Sequence, residues 1–173
     1  MSIKVAIIGF AGRQKDIRLT QQLFVKACEK VETYLTEHYD LNNLSLVSGG
    51  SAWMDHVAVV LAFKLKLPLI LLIPSKFRHG RFVPDEKVPF NPGKRLNYLH
   101  RKFSQICSLN SLSDLSTFKK AMITVPGFHA RNREIVTNSN FCLACTLDHT
   151  ITGGTFNTWS QFDNGKKHQI ILK

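Results

Sequence analysis

The sequence predicts an α/β fold, a doubly wound, mostly parallel sheet of about six strands with helices on both faces. Short apolar, β-branched runs recur along the chain, and the first two each lead through a glycine turn into an amphipathic stretch. The run Leu69-Ile-Leu-Leu-Ile73 is apolar at every position, as a strand covered by helices on both sides must be. Strand, turn and helix in this succession specify right-handed β-α-β units and therefore parallel neighbours.

Ile3 to Ile8 reads as the first strand, and Gly9-Phe10-Ala11-Gly12-Arg13 as the tight turn that leaves it. The helix that follows, about Leu19 to His38, spaces Leu23, Phe24, Ala27, Val31 and Leu35 so that one stripe faces inward. Leu44 to Val47 is the second strand. It leads through Ser48-Gly-Gly-Ser-Ala-Trp-Met-Asp55 into a helix with Val57, Val60, Leu61 and Leu65 inward, which Pro68 closes before the strand Leu69 to Ile73. From Pro74 to about Lys120, Pro74, Pro84, Pro89 and Pro92 interrupt the alternation and leave one clear helix, Lys94 to Ile106. The pattern resumes with a strand at Met122 to Val125, a helix opening near Ala130, a strand at Phe141 to Thr146, a helix after Gly154 and a final strand at His168 to Leu172.

A chain of 173 residues with 44% hydrophobic and 20% charged residues suits one globular domain, residues 1–173, the insert included. The apolar run before Gly9 is too short for a signal-peptide core, and Leu67 to Pro74 is too short to cross a bilayer. The expectation is a cytoplasmic protein without a membrane partner, with Cys28, Cys107, Cys142 and Cys145 as reduced thiols. Cys142-Leu-Ala-Cys145 has the spacing of half a zinc site, but no second pair completes it, and on a strand the two sulfurs fall on opposite faces. Neither a metal nor a required cofactor is expected.

The formal net charge of +11 favours anionic partners. Most of the excess lies in the insert, where ten lysines and arginines between Lys76 and Lys120 face three acids, with Phe77, Phe82, Phe90 and Tyr98 interleaved. That composition suits either a single-stranded nucleic-acid surface or a lid with a solvated basic face.

In an open parallel sheet, ligands bind beyond the carboxyl ends of the strands, where helix N-termini offer backbone N–H groups to anions. Three glycine loops fall there: Gly9 to Arg13, Ser48 to Asp55, and Thr152-Gly153-Gly154-Thr155. Glycine lets amides approach a phosphate closely, and Ser48, Ser51 and Thr155 add hydroxyl donors.

The segments Ile-Ile-Gly-Phe-Ala-Gly-Arg, Val-Ser-Gly-Gly-Ser-Ala-Trp-Met-Asp, Phe128-His-Ala-Arg-Asn132-Arg and Gly-Gly-Thr155-Phe-Asn-Thr158 follow one another from Ile3 to about Lys167. Together they resemble the successive motifs of the SLOG superfamily, which groups DNA-processing protein A with the Lonely Guy phosphoribohydrolases and the YpsA-like proteins. The resemblance implies a Rossmann-like sheet with a nucleotide or nucleotide-derived ligand at these loops; some members cleave N-glycosidic bonds and others bind single-stranded DNA. It places the family's Ser-Gly-Gly loop at Ser48, Gly49 and Gly50, its acid at Asp55, its Arg-Asn pair at Arg131 and Asn132, and its Gly-Thr loop at Gly154 and Thr155. Thr158 stands where the Lonely Guy enzymes carry the glutamate that serves hydrolysis, and their preceding proline is absent. Trp53 replaces a small residue and brings a bulky ring to shape the pocket.

The expected ligand contacts are therefore Gly9, Phe10, Gly12, Arg13, Ser48, Gly49, Gly50, Ser51, Trp53, Arg131, Asn132, Gly153, Gly154 and Thr155. Arg131 suits a forked phosphate clamp, or else a helical ion pair with Glu134. Asp55 suits a ribose hydroxyl, or else a helix cap. Were an N-glycosidic bond cleaved, Asp55 and Glu134 would be the carboxylate pair, with His129 a lesser acid–base candidate. The leading reading is a nucleotide-type binder or hydrolase with phosphates on the loops, the base near Trp53 and the insert as wall or lid. The alternative is a single-strand nucleic-acid binder using the basic insert. Relatives of this fold often pair, so a homo-oligomer is a further expectation.

Overall fold

The structure, a computed structural model, describes residues 2–13 and 19–173. In chain order the elements are β1 (Ile3–Gly9), α1 (Gln21–His38), β2 (Leu44–Ser48), α2 (Met54–Leu65), β3 (Leu69–Ile73), a hairpin of β4 (Phe77–Arg78) and β5 (Arg81–Phe82), α3 (Pro92–Cys107), α4 (Ser111–Thr117), β6 (Met122–Thr124), α5 (Phe128–Thr137), β7 (Phe141–Thr146), α6 (Gly153–Trp159) and β8 (Lys167–Ile171). Six strands form one sheet in the order β6-β3-β2-β1-β7-β8, with every neighbouring pair parallel. The chain runs outward from β1 to one edge and then returns to build the other half from β7. The strand order therefore reverses between β1 and β7, where a doubly wound sheet opens a crevice.

The two-residue period of a strand explains the layers. Val5 and Ile7 of β1 join Leu46, Leu71, Leu143 and Cys145 in a core with Phe24, Val31 and Leu35 of α1 and Met54, Val57 and Leu61 of α2. Ala6 and Ile8 face the other way, with Val47, Leu72, Cys142 and Ala144, against Ile135 of α5 and Phe162 beyond α6. Cys142 and Cys145 thus lie on opposite faces, both buried and unbridged. Burial pushes the Cys145 thiol up to about 12, so it stays protonated near neutrality.

Local chemistry sets the helix ends. Thr20 Oγ1 accepts from Leu23 N–H at 3.2 Å to open α1. Asn91 Oδ1 accepts from Lys94 N–H at 3.2 Å with Pro92 in the first turn, so α3 begins two residues before the periodicity predicts. The insert is not peripheral: Phe82, Leu96, Phe103 and Leu115 sit in the same core as α1 and α2. It carries two features absent from the sequence reading, the β4–β5 hairpin and α4. Two-residue strands show no period, and α4 has only Leu112 and Leu115 as apolar anchors among hydroxyl residues. No described helix is long and apolar enough to cross a membrane.

Candidate functional site

The three glycine loops converge at the crevice between β1 and β7. Gly9 carbonyl oxygen accepts from Thr155 Oγ1 at 2.8 Å, and Phe10 carbonyl oxygen accepts from Met54 N–H at 3.2 Å, so the first loop is tied to both others. Beside these links lies a cavity of about 480 Å³ lined by residues of β1, the second loop, the insert, α5 and the third loop. Its charged walls among the described residues are Arg13, Arg95 and Arg131 against the single carboxylate of Asp55. The cavity is therefore electropositive. The Arg13 guanidinium is held below its ordinary range by partial burial and by Arg95 and Arg131, with Asp55 opposing.

Arg131 and Asp55 form its floor. Arg131 Nη1 donates to Asp55 Oδ2 at 3.3 Å, and each side chain is only 9% exposed. Burial pushes the Asp55 carboxyl above the usual carboxylate range while Arg131 and the Ser51 N–H work against it. The ion pair that sequence spacing offered to Arg131, with Glu134, does not form. Glu134 instead accepts from the Asn138 side chain at 3.3 Å and is absent from the cavity wall, so the two carboxylates considered for glycosidic cleavage do not share one space.

The second loop turns its polar groups inward on itself. Ser48 Oγ donates to Asp55 carbonyl oxygen at 2.8 Å and accepts from Gly50 N–H at 3.2 Å, while Ser51 N–H donates to Asp55 Oδ2 at 3.1 Å. Ser48, Gly49 and Gly50 do not line the cavity; they shape it from behind. A Cβ on Gly49 would lie 1.4 Å from Arg131 Nη1, so only glycine lets the guanidinium reach Asp55. Among the described residues, Ser51 Oγ and Arg131 Nε are buried without a hydrogen-bond partner, and both residues line the cavity.

Trp53 departs from expectation. It is 2% exposed, packs its ring against Phe10, Phe24 and Phe103, and is absent from the cavity wall, so it offers no face to a ligand's base. Its apolar bulk is the reason: the ring is buried where α1, α2 and α3 meet, and Gly12, at φ 82°, leaves room for it, since a Cβ there would lie 2.4 Å from Trp53 Nε1. Gly12 therefore packs and does not line the wall.

Gly9, Phe10, Arg13, Ser51, Asp55, Arg131, Asn132, Gly153, Gly154 and Thr155 do line it, as does His129. Asn132 Nδ2 donates to Asn157 Oδ1 at 3.3 Å. Thr158 is buried in the wall and donates to Gly154 carbonyl oxygen at 3.2 Å, an aliphatic hydroxyl with no acid–base capacity near neutrality. Phe90 and Arg95 reach the cavity from the insert and Phe128 from the start of α5. The sequence offered the insert that carries Phe90 and Arg95 as either a nucleic-acid surface or a wall or lid of the pocket, without singling out these two residues as pocket contacts.

Fold and site together define a doubly wound α/β protein with an arginine-lined pocket at its topological switch point. The chain is 35% identical over 179 aligned positions to the uncharacterized protein R261 of Acanthamoeba polyphaga mimivirus, covering 98% of this chain and 96% of that one, and it belongs to the same family. No family model matches the sequence. A crystal structure of DNA processing protein A from Streptococcus pneumoniae is similar with a TM-score of 0.48 and 15% identity, over 92% of this chain and 46% of that one. The chain thus spans about half of that protein's length.

Proposed function

We propose that the pocket at the β1–β7 crevice binds a phosphate-bearing, nucleotide-derived ligand, in keeping with the SLOG-like motifs of the sequence. One observation carries this reading: among the described residues the charged groups lining the cavity are Arg13, Arg95 and Arg131 against the single carboxylate of Asp55. Asp55, held by Arg131 and Ser51, serves to orient the guanidinium. Its carboxylate has no second acid beside it among the described cavity residues, which favours a binder over a hydrolase of the two-carboxylate kind.

Calorimetric titration with nucleoside 5′-monophosphates, ADP-ribose and inorganic phosphate tests the reading. Saturable binding that Ser51→Ala weakens supports it. Absence of binding by all three classes at millimolar concentration refutes it.

A second reading, a single-stranded nucleic-acid surface, is favoured by α3. There Lys102 Nζ stands 5.4 Å from the centre of the exposed Tyr98 ring, and Arg95 stands 5.5 Å from that of Phe90. In that case a short oligonucleotide binds with a log–log salt slope of about −0.7 per neutralised phosphate, and Arg101→Glu with Lys102→Glu flattens it.

A further inference from the structure

Resting on the pocket reading above, we infer that the ligand's nucleobase lies at the mouth of the cavity on the phenyl ring of Phe90, next to the Arg13–Phe128 stack, and that Phe90 makes the pocket select a base-bearing phosphate over a bare sugar phosphate. The juxtaposition of an exposed aromatic ring with an arginine-lined cavity carries the inference.

Phe90 lines the cavity and is 64% exposed, and among the described residues the Arg95 guanidinium stands over its ring. Its backbone holds φ at 64°, in the left-handed region that a bulky residue avoids, and Asn91 follows at 40°. The turn is kept there by Asn91, whose Oδ1 accepts from both Asp85 N–H at 3.1 Å and Lys94 N–H at 3.2 Å. Structure is thus spent on presenting a ring at the pocket mouth, as strained residues at ligand sites commonly do.

The surroundings suit a flat, electron-rich group. The Arg95 guanidinium stands 5.5 Å from the Phe90 ring centre, and Arg13 stands 4.9 Å from that of Phe128. Phe128 is half-buried against the core with Arg13 and Arg131 over its ring, whereas Phe90 is exposed and, among the described residues, pairs with no other aromatic side chain, so Phe90 is the ring that keeps π surface for a guest. Guanidinium planes and phenyl rings both stack on nucleobases without demanding one base edge. Trp53, the ring the sequence offered for this role, is sealed in the core. The cavity-lining side chains of Arg13, Ser51 and Arg131 are then left for the phosphate.

The test compares wild type, Phe90→Leu and Phe90→Trp by calorimetry against adenosine 5′-monophosphate, cytidine 5′-monophosphate and ribose 5-phosphate. Wild type is expected to prefer both monophosphates over ribose 5-phosphate. Phe90→Leu should lose about tenfold toward the monophosphates, the scale of one base–aromatic stack, and less than twofold toward ribose 5-phosphate. Phe90→Trp should retain the preference, and thermal melts of both variants should match wild type because the ring is exposed. Equal affinity of wild type for all three probes, or an unchanged preference in Phe90→Leu, overturns this inference and leaves the phosphate reading standing. Failure of every probe to bind wild type removes this inference, and failure of ADP-ribose and inorganic phosphate as well removes the pocket reading with it.

Discussion

Arg131 of α5 and Asp55 of α2, 76 positions apart in the chain, meet at 3.3 Å beneath the pocket with both side chains almost wholly shielded from water. Breaking a buried pair from one side leaves an uncompensated charge. Arg131→Ala should therefore lower folding stability by about 3–5 kcal/mol, and Arg131→Met combined with Asp55→Leu should recover most of it. Urea denaturation measures both; a loss below about 1 kcal/mol for the single variant, the scale of an exposed pair, would contradict the burial described.

Ser51→Ala separates stability from binding. The hydroxyl removed has no hydrogen-bond partner among the described residues, so its loss should leave stability unchanged or raise it by about 1 kcal/mol. Anion affinity should fall, by about tenfold for one lost hydrogen bond to a charged group. Melting temperature and calorimetric affinity moving in the same direction would argue that Ser51 is only a packing residue.

Gly49→Ala tests the close approach behind the floor. Its new Cβ falls on Arg131 Nη1, and the guanidinium must swing off Asp55 to make room. The expected result is a destabilisation of about 1–3 kcal/mol together with a loss of binding like that of Arg131 variants. Gly165→Ala, where a Cβ meets nothing within 4 Å, is the control.

His100 gives a pH dependence of known sign. Its Nε2 faces the Gly50 carbonyl oxygen at 3.0 Å and so carries the proton, while Nδ1 accepts from Ser111 Oγ at 2.9 Å. Burial, with His56 nearby, lowers its pKa from the ordinary 6.5 to about 3. The unfolded chain then binds more protons than the folded one between those values, so stability falls as pH drops below 6.5. Between pH 6.5 and about 4.5, before most carboxylates titrate, His100→Gln should show a shallower decline than wild type in denaturation midpoints.

The sheet was legible because each of its strands is apolar enough to declare itself: Leu69–Ile73 and Phe141–Thr146 fall where their runs predicted, and β1, β2, β6 and β8 agree within one residue at each end. The insert was less so. A seven-residue helix such as α4 completes barely two turns, and the capping of α3 by Asn91 depends on one side chain that propensity does not weigh. At the site, the loops were visible from their glycines, but the partner of Arg131 was not. Sequence spacing can propose Glu134, three residues on, whereas Asp55 is brought in by the packing of α5 across the sheet edge. Trp53 misled for a related reason: its neighbours in the chain are loop residues, and its neighbours in space are Phe24 and Phe103.

The segment from Ser48 to Ser51 is pinned by its own contacts to Asp55 before any guest arrives. Its ordering was completed when the chain folded, so little conformational freedom remains to be surrendered on association. Under the proposed binding role, a rigid backing of that kind would discriminate by fit rather than by accommodation, since a group too large for the cavity would find nothing behind Arg131 and Asp55 able to yield.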